Sequence, residues 1–390
     1  MPDKAKTEKL TVLLAGGGTA GHVAPALAVG NWLRSQSANI ECEFIGTAMG
    51  MEKFMVPEAG FELHEILKVS FPRRLTLGTF IWPFRFIRSL LQTRKAMLNA
   101  DLLVGFGGYV CASSYVMAFA KGIPFFVHEA NALPGIANRL GVRLGGIPLI
   151  SFESTREFGA RWRGASLVGI PLRKEITQLA AQTLTQRLEI RKRKATEWGF
   201  NPDRPIVVVF GGSLGSKHIN SVIQESREAI LRAGIQLVHA VGKDNELPAA
   251  LPGYQPVHYF NDMADVYASA DLVISRSGAL TCHELGITKT YALLIPLAIG
   301  NGEQSHNGQS LVDAHAATMI SNSEFTSQWL SAHLLSLIAS GKKLASSDAG
   351  DVGDVGDAGD TDVLFPINAS DVIGKMIESK LSASTLKGLK

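Results

Sequence analysis

Cysteine is scarce in this chain, and its placement excludes more than its number does. Cys42, Cys111 and Cys282 are scattered through 390 residues with no Cys-x-x-Cys pair, which argues against a zinc site or a disulfide framework. Three buried, reduced thiols are the expectation. An excess of one charge is lacking too. Lys and Arg number 38 against 35 Asp and Glu, a net charge of +3, too small to argue for a nucleic-acid partner. No run of about 18 apolar residues occurs, so nothing is expected to span a bilayer. The opening Met1-Pro-Asp-Lys-Ala-Lys-Thr-Glu-Lys9 lacks the apolar centre of a secretion signal. No glycine loop ends in Gly-Lys-Ser/Thr, which sets aside P-loop kinases and ATPases. A soluble, cytoplasmic protein is expected.

What the chain does have is the same kind of glycine loop twice, each directly after an apolar run. Leu10–Ala15 leads into Gly16-Gly-Gly-Thr-Ala-Gly-His22, and Ile206–Phe210 leads into Gly211-Gly-Ser-Leu-Gly-Ser216. A strand, a glycine turn and a following helix present backbone N–H groups and the positive end of a helix dipole to an anion. Two such loops, each opening its own half, suggest two α/β domains with a diphosphate-containing ligand in a cleft between them. With 46% apolar and 19% charged residues, the chain is long and apolar enough for two cores.

Further β-type runs support that division: Cys42–Ile45, Leu102–Val104, Phe125–Val127 and Pro148–Ser151 in the first half, then Leu237–Val241, Val257–Phe260, Leu272–Ser275 and Ala292–Pro296 in the second. Continuous apolar strands alternating with helices predict α/β domains with parallel sheets covered on both faces. The expected boundaries are a first domain over 1–171, a polar linker over 172–204 that includes Arg191-Lys-Arg-Lys194, and a second domain over 205–365. A flexible acidic Gly-Asp repeat falls at 347–362. A C-terminal helix over 366–390, apolar at Val372, Ile373, Met376, Ile377 and Leu381, is expected to pack back on the first domain.

A dinucleotide site would need an acid at the tip of the next strand, but that strand ends in Gly46-Thr47. The other motifs decide differently. Gly107-Gly-Tyr109, His128-Glu-Ala-Asn131, Val168-Gly-Ile-Pro-Leu-Arg173, Asp262-Met263, Ser275-Arg-Ser-Gly-Ala-Leu-Thr-Cys-His-Glu284 and Asn301-Gly-Glu-Gln304 follow successive runs. With the two glycine loops, this ordered set resembles the MurG family, the peptidoglycan N-acetylglucosaminyltransferases of glycosyltransferase family 28, from about residue 10 to about 325. The resemblance implies a GT-B fold of two Rossmann-like domains. It implies inverting transfer of N-acetylglucosamine from UDP to undecaprenyl-pyrophosphoryl-MurNAc-pentapeptide (lipid I to lipid II). Neither cofactor nor metal is implied. The partners implied are the two substrates, the cytoplasmic face of an anionic membrane, and cell-wall and division proteins. Two other readings stand beside it: a related GT-B enzyme with another lipid acceptor or a UDP-sugar epimerase, and a non-catalytic UDP-sugar-binding scaffold.

By the same resemblance the donor would meet Thr19, Ala20, Gly21, Asn131, Arg173, Ser213, Phe260, Ala279, Leu280, Thr281, Glu284, Glu303 and Gln304. Ser213 and the turn at Gly278 would hold the pyrophosphate, Phe260 would read the uracil edge through its backbone, and Glu284 would accept the ribose hydroxyls. Gly107, Gly108, Tyr109 and Asn138 would meet the acceptor, whose lipid-linked pyrophosphate the Thr19–Gly21 loop also receives. Displacement at the anomeric carbon needs a base for the acceptor hydroxyl. His22 has a suitable intrinsic pKa, and Glu129 is the alternative. Ala20, Ala130, Ile170 and Glu303 depart from the family pattern. Finally, Leu75, Phe80, Ile81, Trp82, Phe84, Arg85, Phe86 and Arg88 lie in a stretch with no acid from Lys68 through Met97. Such a mixture of aromatics and arginines suits an anionic lipid surface.

Overall fold

A computed structural model of the protein describes residues 9–69, 77–297, 302–347 and 365–388. Leu75, Asn301 and, of the Gly-Asp repeat expected at 347–362, all but Ser347 lie outside the described residues; Ser347 ends a helix. The chain divides into two compact units, one of Met1–Arg173 with Asn368–Lys390, the other of Lys174–Ile367.

Unit 1 alternates strand and helix: β1 (Leu10–Ala15), α1 (Ala20–Gln36), β2 (Ile40–Gly46), α2 (Glu52–Glu58), β3 (Glu62–Glu65), α3 (Leu77–Ala96), β4 (Leu102–Gly105), α4 (Tyr109–Lys121), β5 (Phe125–Glu129), α5 (Ile136–Arg143), β6 (Ile147–Ile150) and β7 (Ser166–Leu167). Its seven strands are all parallel in the order β3-β2-β1-β4-β5-β6-β7. Val12, Leu13, Leu14 and Ala15 of β1 have no exposed surface, because a parallel strand is covered on both faces by its crossover helices.

Unit 2 begins with α6 (Lys174–Ala180) and α7 (Leu184–Glu197). It continues through β8 (Ile206–Phe210), α8 (Lys217–Arg232), β9 (Gln236–Ala240), β10 (Tyr254–Val257), α9 (Met263–Ser269), β11 (Leu272–Ser275), α10 (Ala279–Thr288), β12 (Ala292–Leu294), α11 (Glu303–Asp313), β13 (Ala317–Met319) and α12 (Ser327–Ser347). Its six parallel strands run β10-β9-β8-β11-β12-β13. Helix α13 (Ala369–Gly388) belongs to unit 1, where Ile373, Ile377 and Leu381 are buried in the core beside Leu33 and Phe44 of the N-terminal elements.

The stretch 172–204 differs from its expected linker role. Thr183 caps α7 with a reciprocal Thr183–Gln186 capping box. Arg191 donates to Ser269 O and to Asp271 Oδ2, both at 2.7 Å, and Arg193 pairs with Asp265. The basic run thus fastens α7 to unit 2, which polar composition alone conceals. Strand β10 also starts earlier than its apolar run, at Tyr254. Its Pro256 is tolerated because β10 is an edge strand.

Each sheet reverses its winding direction beside its first strand, between β1 and β4 in unit 1 and between β8 and β11 in unit 2. At such a switch point the loops leaving two neighbouring strands diverge and leave a crevice at the carboxyl ends. Both glycine loops sit there.

Two buried imidazoles, His128 of unit 1 and His239 of unit 2, give the fold an acid sensitivity. Burial holds the His128 and His239 rings down at about 4, against 6.5 for a solvated ring. The unfolded chain takes up these protons first, so their contribution is whole above about pH 6.5 and is lost as pH falls toward 4, by roughly 1.4 kcal/mol per pH unit for each ring. Urea melts at pH 7 and pH 5 are therefore expected to show a drop in stability that is smaller in His239→Gln. An equal drop in variant and wild type would remove His239 as a cause.

Candidate functional site

In unit 1 the loops after β1 and β4 close on each other. The imidazole of His22, on the first turn of α1, is half-buried. Its Nδ1 lies 3.1 Å from Gly17 O. A carbonyl only accepts, so this bond puts the proton on Nδ1 and leaves Nε2 as the lone-pair nitrogen. A Cβ built on Gly107 would stand 3.1 Å from Nε2, so this nitrogen looks toward the turn at Gly107-Gly108. Gly108, at φ +88°, lies so close over Gly17 O that any side chain there would collide with it. Burial lowers the pKa of His22, opposed by the bond to Gly17 and by the charge of Glu52. The ring is therefore neutral, as a base must be, at pH 7. Ala20 opens α1 without a left-handed backbone, so its methyl adds no backbone strain.

Glu129 has a different place. It is 2% exposed. Oε1 accepts from Asn131 N at 2.9 Å and Asn131 Nδ2 at 3.3 Å, while Oε2 accepts from Gly135 N at 2.9 Å and Asn138 Nδ2 at 2.8 Å. Burial raises its pKa and those four donors oppose the rise. Glu129 therefore braces the loop after β5. Asn138 is buried as well, donating also to His128 O and accepting from Tyr115 Oη at 2.9 Å. Both amide ends are thus bonded inside unit 1, which holds the side chain in place beside Glu129. Tyr109 is 45% exposed, with Lys68 Nζ 4.9 Å above its ring, and Thr19 and Arg173 are exposed.

In unit 2 the second glycine loop opens on a cavity of about 530 Å³. Gly211, Gly212, Gly278, Thr281 and Gln304 line it. Gln304 Oε1 accepts from Leu297 N at 2.9 Å. The cations of the cavity were missed: Lys217 on the first turn of α8, and Arg276, whose guanidinium spans Ile295 O at 2.9 Å and Ser216 Oγ at 2.8 Å. Arg276 was in plain view inside Ser275-Arg-Ser-Gly278 and Lys217 directly after the glycine loop, where a helix N-terminus invites a cation to share an anion. His218 and Asn322 also line the cavity, and nothing in the sequence marks them.

Ser213, Phe260, Ala279, Leu280, Glu284 and Glu303 are not among the cavity's lining residues. Glu284 sits one turn beyond Thr281 on α10, 4% exposed, its Oε2 accepting from Tyr267 Oη at 2.9 Å. Phe260 packs edge-on against Phe210, which does line the cavity.

The Glycosyltransferase family 28 N-terminal domain matches residues 12–144, and the Glycosyltransferase family 28 C-terminal domain matches residues 206–353. A UDP-N-acetylglucosamine--N-acetylmuramyl-(pentapeptide) pyrophosphoryl-undecaprenol N-acetylglucosamine transferase of Corynebacterium efficiens is 45% identical over 83% of this chain and 87% of its own. The protein of the same name from Corynebacterium glutamicum strain ATCC 13032 is 40% identical over 96% of this chain and 99% of its own. Among solved structures, MurG of Acinetobacter baumannii superposes with a TM-score of 0.70 at 25% identity, covering 95% of this chain and 99% of that one.

Proposed function

The chain belongs to glycosyltransferase family 28, and from that premise we propose that it transfers N-acetylglucosamine from UDP-N-acetylglucosamine to the MurNAc 4-hydroxyl of undecaprenyl-pyrophosphoryl-MurNAc-pentapeptide, with inversion, for peptidoglycan synthesis. The observation that carries the reading is a division of labour between the two switch points. Unit 2 offers a cavity bordered by glycine-loop backbone, Lys217 and Arg276, suited to a leaving diphosphate. Unit 1 offers a neutral imidazole whose Nε2 faces a second glycine turn, suited to a hydroxyl acceptor.

In the reaction His22 Nε2 takes the proton of the acceptor hydroxyl as its oxygen attacks the anomeric carbon, and the bond to UDP breaks on the opposite face. Negative charge growing on the diphosphate is met by backbone N–H groups at the start of α8 and by the two cations. Thr281 and Gln304, which line the cavity, would meet the phosphate and the sugar, and Glu284 the ribose. The test is incubation of the purified protein with labelled UDP-N-acetylglucosamine and lipid I. Labelled lipid II is the expected product. Product only with a different lipid would reassign the acceptor, and donor binding without turnover would make the protein a scaffold.

The lipid-linked acceptor calls for a membrane face, and α3 supplies its chemistry. Phe80, Phe84, Ile87 and Leu91 are 78%, 73%, 54% and 60% exposed and recur at helical spacing along one stripe. Arg85 and Arg88 are exposed beside them. Trp82 and Phe86, singled out from sequence, are half-buried and stack on each other at 5.0 Å; Ile87 and Leu91 complete the stripe instead. No helix among the described residues is long and apolar enough to cross a membrane, so attachment would be peripheral. Replacing Phe80, Phe84 and Ile87 together with Ser is expected to weaken binding to anionic vesicles at least about tenfold, since each side chain withdrawn from water contributes on the order of 1.5 kcal/mol. Salt should weaken wild-type binding through the arginines, while the melting temperature and activity on a short-chain acceptor persist. A large loss of melting temperature with unchanged vesicle binding would make the stripe a packing face.

A further inference from the structure

We propose that Glu52 is a positioning residue for His22, acting through the single peptide unit that joins Gly17 to Gly18. The carbonyl of that unit receives His22 Nδ1 at 3.1 Å, and its N–H donates to Glu52 Oε2 at 2.9 Å. Carboxylate, peptide and imidazole therefore form one hydrogen-bonded line, 34 residues apart in sequence at its outer link. A peptide unit is planar and conjugated. A negative charge at its N–H end polarises the carbonyl and strengthens the bond that carbonyl accepts. The effect on the ring is that of the carboxylate in a carboxylate–histidine pair: Nδ1 keeps its proton, Nε2 keeps its lone pair, and the ring stays in one orientation.

Several independent features point to Glu52 as more than a filler. Its residue surface is 0% exposed, and burying a carboxylate is costly unless its oxygens are satisfied. Thr47 N and Thr47 Oγ1 donate to Oε1 at 2.9 and 2.8 Å, and no cation pairs with Glu52 among the described residues. The charge is thus kept in a neutral nest where an apolar side chain would meet no such cost. The surrounding backbone is shaped to it. A Cβ on Gly17 would stand 2.8 Å from Oε1, and one on Gly50 would collide with the carboxylate. Its field opposes the lowering of the His22 pKa by burial.

This inference rests on His22 being the base, and a double-mutant cycle separates the two. Glu52→Gln keeps the volume but turns an NH2 toward a backbone donor. In the wild-type background kcat is expected to fall about 10- to 100-fold, with KM for UDP-N-acetylglucosamine within about twofold, as befits a group that orients a base. In the His22→Ala background the same change should cost no more than about twofold, because residues acting through one another are not additive. An equal loss in both backgrounds would reduce Glu52 to a loop scaffold and overturn the proposal. Near-normal activity of His22→Ala alone would defeat the base reading itself, and the proposal with it. If Glu52→Gln does not fold, Thr47→Val serves: it removes one donor, leaves the charge, and should lower kcat several-fold only when His22 is present. Unchanged kcat in Thr47→Val would then count against the relay.

Discussion

His22→Ala is expected to lower turnover by about 100- to 10,000-fold, the range for loss of a general base, with calorimetric affinity for UDP-N-acetylglucosamine close to wild type. Donor affinity should persist because the anion cavity belongs to unit 2 and His22 to unit 1. The imidazole suits the role on two counts. The bond to Gly17 O fixes the proton on Nδ1, and burial lowers the pKa below its usual value of 6.5. The wild-type rate should accordingly hold across neutral pH and fall on the acid side, as Nε2 becomes protonated below pH 6.5. Turnover of His22→Ala within a few-fold of wild type would move the base elsewhere. Glu129 is a poor substitute, since four internal donors fill its two oxygens. Glu129→Gln is expected to act through disorder of the loop after β5, visible as a lower melting temperature.

The glycine loops were legible in sequence because their signal is local: an apolar run, a turn only glycine accepts, and a helix start. So was the apolar face of α13, whose Ile373, Ile377 and Leu381 repeat at helical spacing. What stayed hidden depends on partners distant in sequence. Glu52 reads as an ordinary acid opening a short helix until Gly18 and Thr47 close around it. Nothing in the sequence shows that the Asn138 amide bonds Tyr115 and Glu129. Residues 172–204 read as a linker because their charges are polar whether they face water or, like Arg191, reach carbonyls and Asp271 of their own unit. On α3, composition does not tell the aromatics apart, and only the observed exposure separates Phe80, Phe84 and Ile87 from the stacked Trp82 and Phe86.

Glu284→Ala is expected to weaken UDP-N-acetylglucosamine binding by about 1.5–3 kcal/mol, or roughly 10- to 150-fold, the scale of lost hydrogen bonds to a charged group. Position on the helix motivates it. Gly278 caps α10 and Thr281 lines the anion cavity. Glu284 follows three residues on, hence on the same face, one turn deeper. A ribose attached to a diphosphate at that helix start would reach the carboxylate, which can accept two hydroxyls at once. Glu284 also accepts from Tyr267 Oη at 2.9 Å, so the alanine variant removes an internal bond together with the ligand contact. Tyr267→Phe separates them. It deletes the internal donor and leaves the carboxylate, so it should lower the melting temperature somewhat while donor affinity falls less than in Glu284→Ala. Affinity for UDP itself should drop in parallel with that for the UDP-sugar, because ribose is common to both. Were calorimetry to show unchanged affinity for both ligands in Glu284→Ala, the carboxylate would be a buried brace of α9 and α10, and the ribose would have to be held by another group along the cavity.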